Sequence, residues 1–229
     1  MRNFYISDLH LGHANIILYD NRPFKSVDEM DERLIENWNA VVTDEDVVYH
    51  IGDFSWDKYE KWVDQIRRLN GRIFFIKGNH DRENYLNQLL NDRRVKDKVV
   101  GWENYKEISD AGKMVVMSHY YMTSHNGMFR GSKHLYGHVH CSFDYKVCLK
   151  MQETIESLYR IKPAAYNVGC MVPYMSYTPR TLDEIEAGYD ALNRQQLVWT
   201  RLQGIQNVDV KLLNLANEET PDEGQVQSP

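Results

Sequence analysis

Ile73-Phe74-Phe75-Ile76-Lys77-Gly78-Asn79-His80-Asp81 is a short apolar run that ends at a glycine and three side chains able to hold a cation or move a proton. The arrangement recurs four times. Phe4-Tyr5-Ile6 precedes Ser7-Asp8-Leu9-His10, Val47-Val48-Tyr49 precedes Gly52-Asp53, Met114-Val115-Val116-Met117 precedes His119, and Leu135-Tyr136 precedes Gly137-His138-Val139-His140. Each apolar run reads as a strand, which places five sets of polar side chains at strand ends, where α/β folds build their sites. One sheet edge can gather residues that lie far apart in the chain.

The intervening segments supply the rest of the fold. Ser26 with Glu29 forms a capping box ahead of a helix carrying Met30, Leu34, Ile35, Trp38 and Val41. Asp57 with Glu60 repeats the pattern before Trp62, Ile66 and Leu69, and Asn70-Gly71 ends that helix. Strand, helix, strand, helix, strand implies a largely parallel beginning. After residue 95 the strands shorten, around 99–102, 106–108, 113–117, 135–139 and 165–168, and imply a second sheet. Thr181 with Glu184 caps a last helix carrying Leu182, Ile185, Tyr189, Leu192 and Trp199.

At 229 residues the chain suits one sizeable core, and no Gly/Ser/Pro linker divides it. We expect one domain over residues 1–204 and a C-terminal extension over 205–229, acidic and disordered from about 217. No apolar run approaches the roughly 20 residues a membrane span needs. Three cysteines, Cys141, Cys148 and Cys170, lack metal-type spacing. A soluble, reduced, cytoplasmic setting is expected. The formal charge is −6, with the acidic tail accounting for part of it. Arg67-Arg68 and Arg93 to Lys98 are too thin to form the basic stripe of a non-specific DNA binder, and read as a solvated face.

Imidazole nitrogen with carboxylate and amide oxygen suits Mn, Zn, Fe, Ni or Mg, and the absence of cysteine from the set disfavours a thiolate zinc site. Asp53 stands without a ligand neighbour, which suits it to bridging two ions. Two ions roughly 3.5–4 Å apart activate a hydroxide and neutralise charge in an in-line displacement at phosphorus. Taken in order, the five strings resemble the pattern of the calcineurin-like metallophosphoesterase superfamily. Ser7 to Ile17 and Asn21-Arg22-Pro23-Phe24 are similar to a narrower bacterial and phage branch.

The resemblance implies a four-layer α/β sandwich, two mixed sheets flanked by helices. It implies two divalent ions, one held by Asp8, His10, Asp53 and His140, the other by Asp53, Asn79, His119 and His138. It also implies a bridging hydroxide as nucleophile and His80 as general acid, with Asp81 supporting His80 or its loop. A phosphodiesterase is expected. A phosphomonoesterase acting on a small metabolite or phosphoprotein, and a non-catalytic scaffold, are the other readings. The intact ligand set with a proton donor beside it favours catalysis. The substrate is a phosphoester, with nucleotides and nucleic acid among the candidate classes.

His13, Arg22, Tyr120 and Arg130 are candidate substrate contacts, and Phe54 and Trp56 can stack on a base or pack in the core. His50, His125 and His134 fall outside the pattern. Residues 141–163 interrupt the resemblance. Cys148, Met151, Ile155, Leu158 and Tyr159 recur at helical spacing there, which predicts a packed helix or a lid over the site. Tyr189 and Trp199 suit a homodimer contact as well as the core.

Overall fold

The computed structural model describes residues 1–202, with side chains to residue 194. The expected extension at 205–229, its acidic tail and the side chain of Trp199 lie outside the described residues. Residues 1–190 form one compact unit, and residues 191–202 of the second unit continue the last helix. No helix among the described residues is long and apolar enough to cross a membrane.

Within residues 1–190 two four-stranded sheets make an α/β sandwich. The first, β1 (Asn3–Ile6), β2 (Val47–Ile51), β3 (Arg72–Ile76) and β4 (Val99–Glu103), is parallel throughout and ordered β1-β2-β3-β4. Its crossovers are α1 (Ala14–Tyr19) with α2 (Val27–Val41), then α3 (Tyr59–Arg68), then α4 (Glu83–Leu89). The second sheet holds β5 (Tyr105–Asp110), β6 (Lys113–Ser118), β7 (Lys133–Tyr136) and β8 (Ala164–Asn167). Only its β5/β6 hairpin is antiparallel.

The strand at 99–103 departs from expectation. Sequence reading groups it with the second sheet, whereas the structure pairs it with β3, because α4 carries the chain back for a fourth parallel strand and buries Val95 and Val99. Capping differs in one place as well. Ser26 Oγ accepts from the Glu29 N–H at 3.2 Å, and Thr181 exchanges bonds with Glu184. Asp57 caps nothing. Lys58 stands at that helix start, and the Asp57 carboxylate accepts from Gln65 Nε2 at 2.9 Å.

The interrupting segment forms α5 (Phe143–Tyr159), N-capped by Ser142. Its inward face is rotated from the expected stripe: Cys148 packs with Tyr136 and Val139, Leu149 meets the main core and Gln152 is buried. Met151, Leu158 and Tyr159 are exposed. Tyr189, on α6 (Leu182–Leu202), is buried against Tyr166 and Tyr174. Arg94 pairs with Glu60 and Asp92, and Arg68 with Glu32, so these cations make no free basic stripe.

Candidate metal centre

All seven candidate ligands converge where the C-terminal ends of the two sheets meet. Asp8, His10 and His140 form one group whose donor atoms lie within 4.8 Å of one another, and Asp53, His119 and His138 form a second. Asp53 Oδ2 sits 3.7 Å from His10 Nε2 and 3.4 Å from His119 Nε2, between the groups. Asn79 Oδ1 joins the second group, 3.0 Å from His119 Nε2 and 2.9 Å from His138 Nδ1.

The backbone shows how the loops achieve this. Asp8, His10, Asp53, His138 and His140 all adopt positive φ, between 48° and 69°. That region is costly for residues other than glycine and is held only where surroundings over-determine it. The surroundings here are loop-to-loop hydrogen bonds: Asp8 N–H to Gly52 O, His10 N–H to Asp53 O and Gly137 N–H to His119 O, between 2.9 and 3.1 Å. Two glycines are required by close approach. A Cβ on Gly78 would lie 2.2 Å from Asp53 Oδ1, and one on Gly52, itself at φ 91°, 2.2 Å from His119 Nδ1.

The donor set fits a pair of divalent cations. His10 Nε2 and His140 Nε2 face each other at 3.2 Å with Asp8 Oδ1 3.6 Å from the latter, a convergence of lone pairs that a cation satisfies and a neutral interior does not. Burial drives the His10 pKa down to about 2 despite the nearby Asp53 charge. Burial also opposes the His119 cation, yet the bond to Asp53 and the charges of Asp8 and Asp53 raise that imidazole to about 9.

Outer partners orient the candidate ligands. His119 Nδ1 donates to Ile51 O at 2.9 Å, and His140 Nδ1 donates to Asp20 Oδ1 at 2.7 Å, which leaves each Nε2 facing the centre. Asp20 is braced by Arg22, whose guanidinium also donates to the carbonyls of Leu9 and Asp8 at 2.8 and 2.9 Å. Asp20 escaped sequence reading, although it stands two residues from the conspicuous Arg22 and a ligating imidazole commonly needs such a carboxylate. Asn167, fully buried and donating to His140 O at 2.7 Å, was likewise missed. Asp81 is buried and accepts from the N–H groups of Asp53, Phe54 and Gly78 at 2.8–2.9 Å, tying two ligand loops together. Burial, with the Asp53 charge adding to it, raises its pKa to about 6.

The remaining candidates separate by position. His80 is exposed at the rim, its backbone N–H donating to Asp53 Oδ1 at 2.9 Å and its ring centroid 5.7 Å from that of His10. His13 lies 5.9 Å from His10, and Tyr120, exposed, 4.5 Å from His138. Arg22 is only 4% exposed, with its donors spent inside the protein, so it stands behind the centre. Arg130, on the short turn Met128–Arg130, contacts Asn126 and is not brought to the ligands. Phe54 is core, whereas Trp56 is half exposed beside His80.

Residues 1–149 match the calcineurin-like phosphoesterase family, and the chain belongs to it. Metal-dependent phosphoester hydrolysis is the general chemistry of that family, and divalent ions are its cofactors. An uncharacterized protein of Methanocaldococcus jannaschii is 54% identical over 85 residues, 36% of this chain and 48% of that protein. The gene 66 protein of Mycobacterium phage L5 is 30% identical over 118 residues, 49% of this chain and 54% of the relative. The chain thus spans about half the length of the curated relatives it matches. A solved protein of unknown function from Aquifex aeolicus shares the fold with TM-score 0.58 at 24% identity, over 81% of this chain and 97% of the other.

Proposed function

We propose that the protein is a dinuclear-metal-dependent phosphodiesterase, with one ion held by Asp8, His10, Asp53 and His140 and the other by Asp53, Asn79, His119 and His138. The position of Asp53 carries the reading: a single carboxylate oxygen faces an imidazole of each donor group. When bound, Mn, Zn, Fe, Ni or Mg ions supply Lewis acidity, activating water and neutralising charge on the phosphoryl oxygens.

The protein's own groups do the remainder. The Asp20–His140 and Ile51–His119 hydrogen bonds keep both imidazoles in the tautomer that presents Nε2 inward. Arg22 and Asp81 hold the ligand loops in their strained conformations. His80, exposed and adjacent to the centre, protonates the departing oxygen, a role worth roughly 100- to 10,000-fold in rate. Tyr120 stands beside His138 and Trp56 beside His80, with His13 stacked on Trp56. Exposed aromatic surface at two places beside the centre suits a phosphorus that carries two organic groups, which favours a diester.

The test is metal analysis with parallel assays on bis(p-nitrophenyl) phosphate and p-nitrophenyl phosphate. Two ions per chain and faster diester hydrolysis are expected. His80→Ala should keep both ions and lose about 100-fold or more on a diester with an alkoxide leaving group. Faster monoester turnover would make the protein a phosphomonoesterase, and an unaffected His80→Ala would remove the proton donor.

A further inference from the structure

Trp56 is unusual in its surroundings. The residue is 49% exposed, yet its backbone is tightly fixed. The Leu11 N–H donates to Phe54 O at 3.0 Å, the Trp56 N–H to Leu11 O at 2.8 Å, and Ser55 Oγ to the same carbonyl at 3.1 Å. These bonds splice the Trp56 loop to the ligand loop that carries His10. The ring is held as well. His13 stacks on one face, centroids 4.3 Å apart and planes 11° from parallel, and His80 approaches at 4.7 Å and 52°. A large aromatic surface is thus locked in place and left facing water beside the proton donor.

The open side of Trp56 borders a cleft of about 340 Å³ that also touches His80, Arg82 and Tyr85, while His13 does not border it. Arg82 lies over the Tyr85 ring, 5.1 Å from its centroid, and donates to the Tyr85 hydroxyl at 2.9 Å. Exposed and without a carboxylate partner among the described residues, its guanidinium keeps free donors for an anion. Flat π-surface and a spare cation line the same cleft.

We infer that this cleft is a leaving-group subsite for a nucleotide: the base stacks on Trp56 and Arg82 takes a further phosphate of the departing fragment. The inference rests on the proposed phosphodiesterase activity, because in an in-line displacement the leaving oxygen departs on the side of its proton donor, His80. Water forms the new oxygen–phosphorus bond and gives up a proton, the bond from phosphorus to the leaving oxygen breaks, and a proton passes from His80 to the leaving alcohol. The substrate class is therefore a phosphodiester whose departing fragment is itself a nucleotide. Stacking recognises any base face, so little base preference is expected.

The metal-loaded protein is titrated with AMP, adenosine and ribose 5-phosphate, following tryptophan fluorescence. AMP should bind roughly tenfold or more tightly than ribose 5-phosphate, as expected of one base stacked on an aromatic ring. Trp56→Ala should abolish that gap and most of the quenching, and Trp56→Phe should restore part of the gap. Arg82→Ala should weaken AMP several-fold while leaving adenosine unchanged. On a dinucleotide whose departing fragment keeps its own terminal phosphate, Trp56→Ala should lower kcat/KM by about tenfold more than it does on the methyl ester of the same retained nucleotide. The inference is overturned if wild-type protein binds AMP no better than ribose 5-phosphate, or if Trp56→Ala preserves the gap. Wild-type turnover of bis(p-nitrophenyl) phosphate separates this failure from failure of the phosphodiesterase reading itself.

Discussion

The parallel sheet and the mixed sheet bring different chemistry to the same edge. From the ends of β1, β2 and β3 come both carboxylates, the amide and one imidazole: Asp8, Asp53, Asn79 and His10. From the ends of β6 and β7 come three imidazoles, His119, His138 and His140. Each donor group draws on both sheets, and the seam between them is hydrogen-bonded at and beside the candidate ligands: the His138 N–H donates to Asp8 Oδ1 at 3.1 Å, and the Ser7 N–H to Val168 O at 2.9 Å. Both carboxylates come from one sheet, and the other contributes imidazoles alone. Damage on the parallel side should therefore reach further than damage on the mixed side.

The largest expected effect tests that asymmetry directly. Asp53→Ala removes the oxygen facing both groups, so plasma-mass-spectrometric metal content should fall from two ions to none and diester turnover by about 1,000-fold or more. His138→Ala strips the second group alone and should leave about one ion. If both variants lost the same number of ions, the two sheets would be equivalent and the bridging assignment would fail. One step out, Asp20→Ala frees His140 Nδ1 and should weaken one ion by roughly 10- to 100-fold while sparing the other, read by competition with a chelating dye.

The two sheets also differed in how well the sequence exposed them. On the parallel side, long helices with apolar stripes separate Phe4-Tyr5-Ile6, Val47-Val48-Tyr49 and Ile73-Phe74-Phe75-Ile76, so both periodicities are visible and the order follows. The short α4 offered too few turns for a stripe, which is why β4 fell to the wrong sheet. On the mixed side α5 misled, because Met151, Leu158 and Tyr159 have helical spacing but face outward, and spacing does not reveal which side of a helix meets the body. The convergence of the candidate ligands was legible because glycine and polar residues interrupt strands at fixed points. Asp20 and Asn167 were not, since a lone carboxylate or amide becomes an orienting group only through a contact across the fold. The left-handed backbone at five candidate ligands has no signature in residue type at all, as none of the five is a glycine.

The smallest effect concerns two histidines that bind nothing in the centre, one in each sheet. His50 on β2 and His134 on β7 are fully buried, and burial lowers both pKa values to about 3. The unfolded chain takes up their protons near pH 6.5, the folded protein only near pH 3. Each histidine therefore leaves stability intact above about pH 6.5 and removes about 1.4 kcal/mol per pH unit as acidity increases below it. The two differ in what they would leave behind. His134 Nε2 accepts from the Met122 N–H at 3.1 Å, so its removal orphans a donor. Neither ring nitrogen of His50 has a hydrogen-bond partner among the described residues, and its ring lies against Phe54 and Phe75. His50→Leu should thus match or exceed wild type in urea at pH 7.5 with metal chelated, and gain a further advantage of about 1–2 kcal/mol at pH 5.5. His134→Leu should flatten the acid slope equally but lose about 1–3 kcal/mol at pH 7.5. A His50→Leu protein less stable than wild type at both pH values would mean that the parallel sheet uses this imidazole for a bond of its own.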